Sequence, residues 1–180
     1  RTRFVNFTGS MEVGLRIGER AAVVHAGQKW LKRSYMEMGG KDAIIVDETA
    51  DLDAAADGTV RSAFGFQGQK CSACSRLIAV GAIHDELVAQ VIERTRALEI
   101  GPPADNAPVG PVINASPHRA ILAEIDKGRS EGTLATGGGA VEHEGGYYIE
   151  PTVFTDVNPA ARLAQHEIFG PVLSVIRADD

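Results

Sequence analysis

One cysteine lies in a setting that could support covalent chemistry. Cys71 follows the glycine-rich run from Gly65 to Gln69, and Lys70 stands directly beside it. A thiol on such a loop can be held partly as thiolate, and a thiolate attacks carbonyl carbon. Residue type alone favours a plainer role for Cys71, that of a small buried hydrophobic side chain. The loop therefore marks Cys71 as a candidate nucleophile.

A glutamate 34 positions earlier could supply the base that such a nucleophile needs. Glu37 lies between Met36 and Met38, just before a Gly-Gly pair. A carboxylate kept apart from other charges can activate a water molecule for hydrolysis of an acylated cysteine. The alternative is a solvated or capping residue before a glycine turn.

Cys71 and Cys74 also form a Cys-x-x-Cys pair, which is typical of dithiol redox centres or of half a zinc site. The chain has no second cysteine pair, and the nearest histidine is His84. We therefore predict no metal site. Two cysteines three positions apart cannot make a disulfide framework, so a reducing compartment is expected.

Two further segments could hold a nucleotide. Gly9 and Ser10 follow a predicted strand and open a helix that includes Gly14, so backbone amides and a hydroxyl could receive a pyrophosphate. The full dinucleotide-binding glycine fingerprint is not present, and Ser10 could be only an N-cap. Later in the chain, Glu167 and Phe169 precede a strand, where a ribose diol and a flat heterocycle could be gripped. A simple turn into the strand is the alternative there.

The elements that would position these residues alternate between strand and helix. Apolar runs predict strands over 4–7, 76–80, 134–136 and 172–176, and a buried strand over 43–46. Helical spacing predicts helices over 13–24, 52–64 and 87–98, and another that ends near 129. The segment from Trp30 to Tyr35 is basic and aromatic, with no predicted strand. This alternation predicts an α/β fold with a three-layer, mainly parallel sheet.

Composition narrows the function classes. The 180 residues include 18 Lys plus Arg against 24 Asp plus Glu, a formal charge of -6 that argues against nucleic acid as a partner. No apolar stretch approaches the roughly 20 residues of a membrane span, and no signal-peptide core follows the basic start. We expect a soluble, non-secreted protein, in the cytoplasm of a bacterium or the mitochondrial matrix of a eukaryote. Strand-like ends indicate a piece of a longer chain.

Four motifs in order resemble the aldehyde dehydrogenase superfamily: Phe7-Thr8-Gly9-Ser10 with Gly14, Glu37-Met38-Gly39-Gly40-Lys41, the run from Phe64 to Cys71, and Glu167-Ile168-Phe169-Gly170-Pro171. The resemblance covers essentially the whole chain. It implies that residues 1–40 form the C-terminal part of a Rossmann-like NAD(P)-binding domain. Residues 41–180 would form a truncated catalytic domain that carries the nucleophile.

The same resemblance implies a role for each candidate residue. Cys71 would form a thiohemiacetal with an aldehyde, and Glu37 would later activate water against the thioester. The Gly9-Ser10 turn with Gly14 would bind the cofactor pyrophosphate. Glu167 would hold the nicotinamide ribose, with Phe169 near the nicotinamide ring. NAD is the expected cofactor, and NADP stays open because the ribose-reading residues have no counterpart here.

Within the superfamily, the run from Gly68 to Ala73 is most similar to enzymes that oxidise glutamate semialdehyde in proline catabolism. Ser72 would there contact the substrate carboxylate. A succinate-semialdehyde type is the alternative substrate class. The upstream oxyanion asparagine and the downstream assembly strands of the family have no counterpart in the chain, so we expect a homo-oligomeric parent and a poorly active fragment. A structural fragment and a cysteine hydrolase remain as rival functions.

Overall fold

A computed structural model of the chain describes residues 2–143 and 145–179. The chain divides into two compact units, Arg1–Gly40 and Lys41–Asp180. The cofactor-binding and catalytic roles expected for residues 1–40 and 41–180 stay predictions.

The first unit is a β-α-β arrangement. Strand β1 (Phe4–Thr8) leads into helix α1 (Met11–Ala22), and β2 (Arg33–Glu37) returns parallel to β1. Strand β2 was missed in the sequence because its side chains are mostly polar and exposed, which leaves no apolar run to detect. Aromatic contacts hold its surface instead, with the Phe4 and Tyr35 rings 5.3 Å apart.

The second unit is built around one five-stranded sheet. Its elements are β3 (Asp42–Val46), α2 (Leu52–Phe64), β4 (Cys74–Val80), α3 (Gly81–Arg96), α4 (Ala115–Gly128), β5 (Thr133–Thr136), β6 (Ala140–Val141), β7 (Tyr148–Ile149), β8 (Thr152–Thr155), α5 (Arg162–Gln165) and β9 (Val172–Ala178). The strand order is β3-β4-β9-β8-β5, and only β5 runs antiparallel to its neighbour. Strands β6 and β7 pair separately as a short antiparallel hairpin.

The sheet separates two hydrophobic cores. Leu173 and Val175 of β9 pack on one face with α2 and α3, where Phe64 and Leu87 are fully buried. The alternate residues of β9 face the other way and pack with α4 and α5. Because side chains alternate along a strand, a central strand that is apolar on both faces must be covered on both sides. The predicted three-layer α/β fold with a mainly parallel sheet is confirmed.

One predicted strand differs in its burial. The run of apolar residues at 43–46 was expected to be buried throughout, but Ile45 is 76% exposed and Ala43 is also exposed. Strand β3 lies at the edge of the sheet, and only its Ile44 and Val46 side pack against the core of α2 and α3. The prediction of a buried strand was therefore half wrong.

Helices α2 and α3 owe their positions to local capping and to a charged clamp. The Asp51 carboxylate accepts hydrogen bonds from the amides of Asp53 and Ala54, both at 3.1 Å, and so begins α2. Near the C-terminus of α3, the Arg94 guanidinium donates to Asp57 of α2 at 2.7 Å and also to Asp53 of α2. The clamp ties the two helices that cover one face of the sheet. Among the described residues, no helix is both long and apolar enough to span a bilayer.

Candidate functional site

The first unit brings two of the predicted site residues to one edge of its sheet. Thr8 at the end of β1 pairs with Glu37 at the end of β2, and the Gly9 amide donates to the Glu37 carbonyl oxygen at 3.0 Å. Ser10 follows directly. Both Ser10 and Glu37 therefore lie at the carboxyl ends of parallel strands, the edge at which α/β sheets usually bind ligands.

Ser10 is the N-cap of α1. Its hydroxyl oxygen accepts a hydrogen bond from the Val13 amide at 3.4 Å, and its carbonyl oxygen accepts from the Gly14 amide at 3.0 Å. The hydroxyl proton stays available to donate to an anion, and the helix dipole favours negative charge here. The Gly9 amide is already engaged by Glu37, so it is not open to a phosphate.

Gly14 is buried, and the absence of a side chain lets Met38 pack closely against α1. A Cβ atom there would stand 2.7 Å from the Met38 sulphur, which is closer than real Cβ contacts. Glu37 itself is exposed. The neighbouring Met38 packs toward Gly14, and the Glu37 side chain is left to solvent.

In the second unit, three segments lie at the edge formed by the amino-terminal ends of the strands. Lys41 precedes β3, Cys71 precedes β4 by three residues, and the segment from Glu167 to Gly170 precedes β9. These strands are neighbours and parallel, in the order β3-β4-β9. The amino ends of three adjacent strands thus place Lys41, Cys71 and Glu167 along one edge of the sheet.

Cys71 lies at the centre of a tight turn. The Ala73 amide donates to the Lys70 carbonyl oxygen at 3.2 Å, so Cys71 and Ser72 are the two central residues, and both are exposed. The chain is fixed immediately afterwards, where the Cys74 amide donates to the Ser62 hydroxyl oxygen of α2 at 3.2 Å. The turn therefore presents a thiol and a hydroxyl side by side to solvent.

The second cysteine has the opposite environment. Cys74 is 3% exposed, and its thiol donates to the Arg76 carbonyl oxygen at 3.3 Å. Burial raises the pKa of the Cys74 thiol, and raising it keeps the sulphur protonated and unreactive. Neither cysteine is in a disulfide, and the described residues include no group of three or more His, Cys, Asp or Glu placed to hold a metal ion. Of the two cysteines, Cys71 is therefore the one with an accessible thiol.

The approach to Cys71 is a left-handed turn. Phe66, Gln67 and Gly68 have φ values of 58°, 56° and 66°, one after another. Such a conformation costs a residue with a side chain about 1–2 kcal/mol, so the surrounding structure must stabilise it. A Cβ atom on Gly68 would collide with the carbonyl oxygen of Gly170. Gly68 is therefore the point at which the Cys71 loop packs against the segment that contains Glu167 and Phe169.

A buried lysine lies at this edge of the sheet. The Lys41 ammonium is buried and has no hydrogen-bond partner among the described residues. The pKa of Lys41 is lowered from 10.5 to about 8, chiefly by burial and also by the charge of Arg76, while the charge of Glu167 acts in the opposite direction. Arg76 donates to the Lys41 carbonyl oxygen, which ties the start of β3 to β4. No role was predicted for Lys41 or Arg76 from the sequence, although Lys41 is the last residue of the motif Glu37-Met38-Gly39-Gly40-Lys41.

The chain matches known proteins along its whole length. The aldehyde dehydrogenase family profile matches residues 1–180. The chain is 54% identical over 181 residues to 1-pyrroline-5-carboxylate dehydrogenase of Geobacillus sp. strain WCH70, and the match spans 100% of this chain but 35% of that protein. The chain thus spans about a third of the length of the curated relatives it matches.

Solved structures agree. A crystal structure of 1-pyrroline-5-carboxylate dehydrogenase from Thermus with bound NAD superposes with a TM-score of 0.96 at 57% identity, over 99% of this chain and 34% of that one. Gamma-glutamyl-gamma-aminobutyraldehyde dehydrogenase from Burkholderia cenocepacia J2315 superposes with a TM-score of 0.89 at 40% identity, over 99% of this chain and 36% of that one. With an exposed thiol at the amino end of β4 and a family match from end to end, this chain belongs to the aldehyde dehydrogenase family.

Proposed function

We propose that the full-length protein containing this segment oxidises L-glutamate γ-semialdehyde to L-glutamate with NAD, as a step of proline catabolism. The observation that carries the proposal is the exposed Cys71 thiol in its turn, next to a second cysteine that is buried. The substrate assignment rests on the relatives. The two 1-pyrroline-5-carboxylate dehydrogenases described above are 54% and 57% identical to this chain. Gamma-glutamyl-gamma-aminobutyraldehyde dehydrogenase, which is named for a different aldehyde, is 40% identical to it.

Cys71 begins the reaction in this proposal. Its thiolate attacks the aldehyde carbon, and a carbon–sulphur bond forms to give a thiohemiacetal. When bound, NAD would accept the hydride whose loss converts that adduct into a thioester. Glu37 then takes a proton from water, the water oxygen attacks the thioester carbon, and the carbon–sulphur bond breaks to release the carboxylic acid product. The thiolate of Cys71 is restored.

Other residues bind and orient. The Ser72 hydroxyl lies in the same turn as Cys71 and can donate to the far carboxylate of glutamate semialdehyde. The Ser10 hydroxyl and the N-terminus of α1 would hold the cofactor pyrophosphate, and Gly9 would serve by leaving the turn without a side chain. Glu167 would hold the nicotinamide ribose, and Phe169, which is 43% exposed, would lie beside the nicotinamide.

The role proposed for Gly14 is indirect. It allows α1 to approach Met38 and so fixes the helix that presents Ser10. A cytoplasmic, homo-oligomeric enzyme is part of the proposal, and the bacterial source of the relatives supports the cytoplasmic placement.

The two cysteines give a matched experiment in the full-length protein. NADH formation is measured with glutamate semialdehyde for the unaltered protein, Cys71→Ala and Cys74→Ala. We expect the first variant to lose at least about 10³-fold in kcat, because a nucleophile cannot be replaced by its surroundings. Cys74→Ala should keep most of its activity, because Cys74 is buried and directed at Arg76.

The outcomes separate the rival functions. Full activity in Cys71→Ala would exclude this residue as the nucleophile. Turnover of other aldehydes without turnover of glutamate semialdehyde would reject only the substrate. Saturable NAD binding with no oxidation of any aldehyde would point to a non-catalytic member of the family.

A further inference from the structure

The left-handed turn before Cys71 has a specific support. In the orientation that satisfies both ends, the Gln67 carboxamide accepts a hydrogen bond from the Gly110 amide at 2.8 Å and donates to the Phe66 carbonyl oxygen at 3.2 Å. The Gln69 amide donates to the same Phe66 oxygen at 3.0 Å. Gln67 thus stabilises two consecutive residues in a conformation that side chains rarely adopt.

The partner of Gln67 is a fixed part of the fold. Gly110 is buried, and a Cβ atom on it would be 3.2 Å from the end of the Gln67 side chain, so the fit is close. The neighbouring Val109 amide donates to the Glu99 carbonyl oxygen at 3.3 Å, and the Gly101 amide donates to Val109 at 3.0 Å. The support therefore comes from backbone that is itself held just after α3.

Cys71 lies between two such attachments. Upstream, the Gln67 carboxamide ties the loop to Gly110, and downstream, the Ser62 hydroxyl oxygen accepts from the Cys74 amide. A nucleophile that is displaced by about 1 Å can lose about 10²-fold in rate, so groups that fix the loop can matter as much as groups that touch the substrate.

We propose that Gln67 is a positioning residue, whose carboxamide holds the left-handed turn Phe66–Gly68 and thereby sets the place of the Cys71 sulphur relative to the aldehyde. The proposal rests on the proposed function, because it concerns the same nucleophile. It assigns to Gln67 no contact with substrate or cofactor.

The experiment uses the full-length protein and three variants. Gln67→Met keeps the length of the side chain but removes both hydrogen bonds. Gln67→Glu keeps an acceptor for the Gly110 amide and loses the donor to Phe66. Asp156→Gly is the control, because Asp156 is also a left-handed residue with a side chain (φ 56°), but it lies after β8 and away from Cys71.

Two measurements distinguish positioning from a general structural role. With glutamate semialdehyde and NAD, we expect Gln67→Met to lower kcat by about 10- to 100-fold with less than about a threefold change in KM. Gln67→Glu should fall between Gln67→Met and the unaltered protein, and Asp156→Gly should keep its kcat. The rate of alkylation of Cys71 by iodoacetamide should change by less than about threefold in every variant, because the thiol stays exposed and only its placement is altered.

Several results would overturn the inference. An unchanged kcat in Gln67→Met, or an equal loss in Asp156→Gly, would show that the turn is structural only, and the proposed function would still stand. A parallel loss of alkylation and of kcat in both Gln67 variants would show that the loop is deformed as a whole. If the unaltered protein forms no NADH, the proposed function fails and the role of Gln67 fails with it.

Discussion

The two units present their candidate residues from opposite ends of parallel strands. In Arg1–Gly40, Ser10 follows β1 and Glu37 is the last residue of β2, so this edge is built from strand ends and a helix N-terminus. In Lys41–Asp180, Cys71 precedes its strand, as do Lys41 and Glu167. The carboxyl edge offers backbone donors and a helix dipole, which suit an anionic ligand. At the amino edge, loops enter the strands, and the loop at Cys71 has supports of its own.

Those supports differ in kind between the units. The turn at Ser10 is held by ordinary capping and by one backbone hydrogen bond from Gly9 to Glu37. The loop at Cys71 needs a left-handed turn, a glycine against the Gly170 carbonyl and side-chain attachments from Gln67 and Ser62. The placement of the Cys71 thiol therefore depends on several contacts that are distant in the sequence. The placement of Ser10 depends mainly on local capping.

The largest expected effect tests the division of labour between the two edges. If Cys71 captures the aldehyde and Glu37 only activates water, Glu37→Gln in the full-length protein should still release one burst of NADH per active site. The steady-state rate should then fall by about 10²- to 10⁴-fold, because the acylated cysteine cannot be hydrolysed. Rapid mixing with glutamate semialdehyde and NAD measures both phases.

Glu19→Gln is the matched control, since Glu19 is an exposed carboxylate on α1 of the same unit. It should leave both the burst and the steady rate unchanged. Loss of the burst in Glu37→Gln would assign Glu37 to an earlier step, and an unchanged steady rate would remove it from the mechanism.

The sequence predicted the local features of these sites and missed those that depend on distant contacts. The strand, turn and helix around Ser10 and the loop before Cys71 follow from residue type and periodicity. Strand β2 escaped because its exposed polar residues carry no period, and its partner β1 lies a whole helix away. The burial of the Lys41 and Arg76 side-chain nitrogens was also not predicted, because it depends on residues that are distant in the sequence.

A second prediction concerns the contact that joins the Cys71 loop to the segment of Glu167. Gly68→Ala should destabilise the full-length protein by about 2–4 kcal/mol, because the new methyl group would collide with the Gly170 carbonyl and a left-handed φ would be imposed on alanine. Denaturant unfolding measures the change. Any folded fraction should show reduced kcat, since the collision displaces the loop.

Gly145→Ala separates the two causes. Gly145 also has a positive φ, 78°, but a Cβ atom there would meet nothing within 4 Å. That variant should lose only about 1 kcal/mol, the cost of the backbone conformation alone. Equal losses in Gly68→Ala and Gly145→Ala would mean that the contact with Gly170 has little weight.

The smallest expected effect is a pH dependence that belongs to the second unit. The folded pKa of Lys41 is lowered from 10.5 to about 8, so between these values the unfolded chain binds more protons at this site than the folded one. The free energy of unfolding therefore rises with pH from about 8 to 10.5, by about 3 kcal/mol from this group. Below pH 8 the ammonium is charged in both states, and its burial weighs fully against folding.

Lys41→Met tests that linkage. The full-length variant should be more stable than the unaltered protein at pH 7, and the difference should shrink as the pH rises toward 10.5, because the unaltered protein no longer buries a charge there. Lys29→Met, which removes an exposed lysine of the first unit, should give a curve parallel to that of the unaltered protein. A Lys41→Met variant that is less stable at pH 7 would mean that the attraction between Lys41 and Glu167 outweighs the desolvation of the ammonium. The amino edge would then be held together by its buried charge.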